Sequence, residues 1–107
     1  MAVYEMKYMY DWGSGCCVWS TNSAAVERYD FAVFADQLPI SDDLKTTLNY
    51  LVYKHDEALD WACPQNDLLW DDEQINAFIK EAISAYERLC VELGDEYKVE
   101  LWEDCLI

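Results

Sequence analysis

The segment from Asp71 to Gly94 limits most what this chain can fold into. Ile75, Phe78, Ile79, Ala82, Tyr86, Leu89, Cys90 and Leu93 recur every three or four residues, the interval that lines side chains along one stripe of an α-helix. Asp71 is placed to cap the first turn, and Asp72 and Glu73 oppose the positive end of the helix dipole. Gly94 stands where helices commonly leave through a positive φ. A five-turn apolar stripe has to be covered, so the rest of the chain must supply the surface that packs on it.

That surface is foreshadowed at both ends of the sequence. Residues 3–10 are rich in β-formers, with Tyr4, Met6, Tyr8 and Tyr10 on one face and Glu5 and Lys7 on the other. The cluster Asp11-Trp12-Gly13-Ser14-Gly15 predicts a five-residue hairpin loop, and Cys16 to Ser20 a returning strand. Asn22 or Ser23 can cap a short helix to about Arg28. Residues 29–39 read as irregular, pinned to the core by Phe31, Val33, Phe34 and Leu38. Ser41 caps a helix over 42–57 whose apolar face is Leu44, Leu48, Leu51, Val52 and His55. A loop centred on Cys63-Pro64-Gln65-Asn66 follows. After Gly94, Tyr97, Val99 and Leu101 alternate with Lys98, Glu100 and Trp102 as a third strand. The expected fold is α+β, one domain over residues 1–107. A small antiparallel or mixed β-sheet, the N-terminal hairpin plus the C-terminal strand, is covered on one face by two to three helices in the order β-β-α-α-α-β. Its other face is left to water.

The charge is lopsided. The 107 residues carry 22 Asp and Glu against 7 Lys and Arg, a net charge of −15, yet 53% are hydrophobic and 15% aromatic. Disordered acidic chains lack such residues, so the charge belongs to a folded protein. It argues against direct binding of nucleic acid or an anionic membrane. Residues 1–54 hold seven acids and four bases, whereas 55–107 hold fifteen acids and three bases. The span 55–79 has no Lys or Arg and contains Asp56, Glu57, Asp60, Asp67, Asp71, Asp72 and Glu73, interleaved with Trp61 and Trp70. A second acidic group, Asp95, Glu96, Glu100, Glu103 and Asp104, flanks Trp102. Solubility needs only a few net charges in a small domain. Acids that steer a cationic partner and aromatic rings that anchor it make a binding surface. The candidate partner-binding residues are Asp11, Trp12, Asp56, Asp60, Trp61, Asp67, Trp70, Asp71, Asp72 and Glu73, with Asp11 and Trp12 at the hairpin tip. Packing of these rings beneath the loop, with the acids as solvated caps, is the competing structural reading.

Motifs of catalysis are lacking. The single histidine, His55, falls on an apolar helical stripe and reads as a satisfied structural residue. Gly13-Ser14-Gly15 is not a nucleophile elbow, which needs a spacer on each side of the serine and a strand-turn-helix setting. Asp67 to Glu73 lacks the calcium-loop pattern, and no glycine-rich phosphate loop occurs. Five cysteines without C-x-x-C spacing read as reduced thiols in a cytoplasmic protein. No secretory signal, transmembrane helix, prenylation site, catalytic residue, metal site or cofactor is expected.

The string Tyr10-Asp11-Trp12-Gly13-Ser14-Gly15, the later Leu59-Asp60-Trp61 and a closing helix-strand ending in acids resemble small acidic immunity proteins of bacterial polymorphic and contact-dependent toxin systems. The resemblance spans the chain through size, acidity and layout. It implies a non-catalytic protein that binds a toxin domain and blocks its active site or substrate surface, and it assigns no binding residue. The expected partner is a basic protein, a toxin or a nucleic-acid-binding enzyme. The alternative is a nucleic-acid mimic of anti-CRISPR type from a phage or mobile element, whose carboxylates would be spaced like phosphates along one edge.

Overall fold

A computed structural model describes residues 2–107. Its elements are β1 (Tyr4–Tyr8), β2 (Val18–Ser20), α1 (Ser23–Tyr29), β3 (Ala32–Val33), α2 (Asp42–Glu57), α3 (Asp72–Leu93) and β4 (Tyr97–Leu101), with single 3₁₀ turns at Ala35–Gln37 and Glu103–Cys105. The fold is α+β, and its longer elements follow the order β-β-α-α-α-β. The addition is β3. It lies within the stretch expected to be irregular and adds two residues to the edge of β2.

The sheet is mixed, in the order β3-β2-β1-β4. β1 pairs antiparallel with β2, Tyr8 opposite Val18, and parallel with β4, Tyr4 opposite Tyr97 and Tyr8 opposite Leu101. A parallel neighbour needs a long crossover, and the helices supply it. Strand alternation turns Met6, Tyr8, Val18, Val33 and Val99 inward, where they join Leu44, Leu48, Leu51, Phe78, Ala82 and Leu89 in one hydrophobic cluster. The opposite sheet face carries Glu5, Lys98 and Glu100 in solvent.

Two expectations about this region need correction. The hairpin connection is longer than five residues, because the ladder with β2 ends with the Met9 N–H donating to Cys17 O at 3.0 Å. Tyr10 N–H then turns to Cys105 O at 2.8 Å, which draws the strand toward the C-terminal turn. Phe31 and Phe34 are not core pins: they are 56% and 46% exposed. The chain turns at Asp30, the one non-glycine residue with positive φ (68°) among those described. It leaves the Phe31 ring beside Trp19 (centroids 5.4 Å apart) on the outer face. Phe34 instead lies against the hairpin at Gly15.

Tyrosines tie the layers together. The Tyr8 hydroxyl donates to Ala82 O on α3 at 2.9 Å, and the Tyr10 hydroxyl lies 2.7 Å from it. Tyr8 spends its only proton on Ala82, so Tyr10 donates to Tyr8. Burial pushes both phenols, and the Cys17 thiol beside them (to about 12), toward their neutral forms. None of the five cysteines is in a disulfide. Tyr86 on α3 donates to Val99 O at 2.6 Å, and Tyr29 and Tyr97 share a 2.6 Å contact between hydroxyls.

Helices α2 and α3 run antiparallel, and each end is tied differently. At one end Glu92 accepts from both the backbone N–H and the hydroxyl of Ser41, the cap of α2, while Arg88 bridges Asp43 at 2.7 Å and Glu92 at 3.1 Å. The Ser41 backbone N–H is the first cause holding the Glu92 carboxyl below its ordinary pKa. The other end gathers the C-terminus of α2, the loop 58–71 and the hairpin tip. No helix among the described residues is long and apolar enough to cross a membrane.

Candidate binding surface

α2 ends without a glycine. Its cap is Ala58 in right-handed helical conformation, so its last carbonyls need other partners. The N–H groups of Ala58 and Leu59 reach His55 O and Asp56 O at 3.1 and 3.4 Å, and two tryptophans add side-chain donors to the same two oxygens. Trp12 Nε1–H donates to His55 O at 2.9 Å, and Trp61 Nε1–H donates to Asp56 O at 2.7 Å. The Trp12 ring stacks on the His55 imidazole, centroids 4.6 Å apart and planes 20° from parallel. Asp56 Oδ1 accepts the N–H of Gly13 at 3.0 Å. Gly13 holds φ at 81°, and a β-carbon there would touch the Trp61 ring at 3.5 Å. The hairpin tip, 43 residues away in sequence, is thereby locked to the helix end and the loop that follows it as one surface.

His55 lies beneath it, 1% exposed, packed by Tyr10, Trp12 and Phe78. Burial lowers its pKa to about 4, against the opposing pull of Asp56 and Asp11. It is therefore a neutral structural residue near pH 7. It is not fully satisfied as expected: its Nε2 is the buried side-chain nitrogen or oxygen without a partner among the described residues.

The expected site residues divide by what the fold does with them. Trp12, Asp56 and Trp61 come together as described, with Asp11 exposed at the hairpin tip. Asp60 organises the loop: its carboxylate accepts from Ala62 N–H and Cys63 N–H, and from the Asn66 amide at 3.1 Å. Asp71 caps α3, accepting from Gln74 N–H at 2.8 Å while Gln74 Oε1 accepts from Asp71 N–H. Trp70 is half-buried, its ring 5.4 Å from Phe78, and flanks a small cleft with Lys54, Gln74 and Glu81. Asp67, Asp72 and Glu73 are exposed. They share the helix-loop-helix end with the others without converging on a point.

Sequence reasoning missed Tyr53 and Glu57. With Asp56 and Trp61 they line an open notch of about 320 Å³. Both fall off the apolar stripe of α2, four residues apart, which is the signal that could have identified them. Tyr53 is 67% exposed and Trp61 55% exposed.

Among the described residues no three His, Cys, Asp or Glu side chains converge as metal ligands would. The distinctive chemistry lies instead on an acidic, aromatic end of a small α+β fold. Residues 4–104 match the model of the Serratia CdiI immunity protein-like family. The chain belongs to that family. Among curated proteins, none matches it in sequence.

Proposed function

We propose that the chain is a non-enzymatic, cytoplasmic immunity protein that binds and neutralises a basic toxin domain, through the acidic and aromatic end formed by the hairpin tip, the α2 terminus and the 58–71 loop. The observation that carries this reading is the base-free span 55–79, with seven acids and two tryptophans, on a chain of an immunity-protein family. Like charges crowded into one region oppose folding, and a cationic partner turns that repulsion into attraction. A nuclease-like toxin fits because its substrate cleft must be basic to hold phosphates, and an acidic protein seated there excludes the substrate. Asp11, Asp56, Asp60, Asp67, Asp71, Asp72 and Glu73 supply the field. Trp12, Trp61 and Trp70 supply ring surface, their positions held by the contacts described above.

Co-expression with a candidate toxin domain, sought among the genes that neighbour its own, tests the reading. The chain should restore growth and elute with the toxin as a one-to-one complex. Continued killing, or separate elution of the two proteins, would overturn it.

A further inference from the structure

Building on the immunity reading, we infer that the notch lined by Tyr53, Asp56, Glu57 and Trp61 receives an arginine side chain presented by the partner protein. Its walls are two exposed aromatic rings, and a ring face attracts a cation through its quadrupole. Its rim carries the carboxylates of Asp56 and Glu57. It sits at the C-terminus of the 16-residue helix α2, the negative end of the helix dipole. Trp61 and Asp56 are held in place: the indole N–H is bound to Asp56 O, and Asp56 Oδ1 to Gly13 N–H. Rigid walls lower the entropy lost on binding.

Two of the chain's own cations already sit on aromatic rings away from the notch. Lys7 lies over the rings of Phe31 and Trp102, and Arg28 over those of Tyr4 and Tyr29, so this protein already pairs cations with aromatic faces. No such contact falls on Tyr53 or Trp61 among the described residues. The nearest internal cation, Lys54, reaches Glu57 at 3.7 Å with both side chains nearly half exposed, a contact weak enough to yield to a better partner. At about 320 Å³ the notch is at the low end of small-molecule sites, a size that suits one inserted side chain. Arginine suits it better than lysine, because a planar guanidinium stacks on rings and forks onto carboxylates.

The test is an NMR titration of the isotope-labelled full chain with N-acetyl-arginine amide to about 50 mM, a range that saturates a site with a Kd of several millimolar. N-acetyl-lysine amide and N-acetyl-citrulline amide, the latter similar in shape but uncharged, serve as comparisons. The Trp61 indole N–H and the amides of residues 53–61 should shift saturably with arginine, about threefold more weakly with lysine, and not with citrulline. Tyr53→Leu should weaken the arginine response about fivefold with an unchanged melting temperature, and Glu57→Gln about threefold. Motionless signals, an equal response to citrulline, or full affinity in Tyr53→Leu would overturn the inference. A toxin domain that dissociates equally fast from wild type and Tyr53→Leu would also overturn it, leaving the immunity reading intact. A toxin that never binds would overturn the immunity reading while the arginine titration keeps its own result.

Discussion

Tyrosine-rich β1 and the tryptophan-bearing 58–71 loop both mix large rings with charged residues, yet they end on opposite sides of the protein's boundary with water. In β1 Tyr4, Met6 and Tyr8 alternate strictly with Glu5 and Lys7, so pairing sends Tyr8 inward, and the continuing alternation takes Tyr10 with it; the two hydroxyls bond to each other, and that of Tyr8 also to Ala82 O. In the loop, Trp61 and Trp70 are separated by Ala62, Cys63, Pro64, Gln65, Asn66, Asp67, Leu68 and Leu69, a run with no period. The backbone is held by Asp60, and the Trp61 ring stays more than half exposed. Periodicity, rather than composition, separates a ring that builds the core from one that can face a partner.

Substitutions can break this contrast. Leu89→Ala on the core side should cost about 2–5 kcal/mol, read from the urea midpoint, since Leu89 is fully buried. Acidification comes next. The folded pKa of His55 lies near 4, below its ordinary 6.5, so the unfolded chain binds the proton more readily and stability falls as pH drops through 6.5 toward 4. Between pH 6.5 and about 5, above the ordinary carboxylate range, the melting temperature should decline in wild type and stay flat in His55→Phe. Tyr8→Phe should cost about 1–2 kcal/mol in the same urea measurement, because it strands the buried Tyr10 hydroxyl. Asp60→Ala should cost at most about 1 kcal/mol globally, while amide exchange at Ala62 and Cys63 accelerates. The smallest effect is expected for the triple variant Asp67→Asn, Asp72→Asn, Glu73→Gln, whose melting should stay within about 0.5 kcal/mol of wild type. A large destabilisation there would move these acids to the structural side of the comparison.

Much of the fold was legible because its signals are local. Ser41, Asp71 and Gly94 mark helix ends through interactions one turn away, and α2 runs over 42–57 as its periodicity predicts. The mixed sheet was legible only as a class. The parallel seating of β4 on β1 joins residues more than ninety positions apart, and no local pattern encodes it. The pairing of β3 was hidden for another reason: its two residues are too few to show a period. The candidate surface was half legible. Acids and tryptophans stood out by composition, but the use of Trp12 as a donor to His55 O depends on a contact between segments 43 residues apart, and that of Trp61 on how the chain turns after α2. Tyr53 and Glu57 escaped notice because a helix's solvent side is ordinarily unremarked, and the notch exists only once the loop folds back over it.

On the proposed function, the acidic end of this protein draws in a basic toxin domain. Stopped-flow association with that domain over a salt series, for wild type and the Asp67→Asn, Asp72→Asn, Glu73→Gln triple variant, tests it most directly. The association rate should fall about tenfold or more from low to physiological salt, and the triple variant should associate more slowly with a shallower salt slope and unchanged dissociation. A rate indifferent to salt, with the triple variant as fast as wild type, would contradict it.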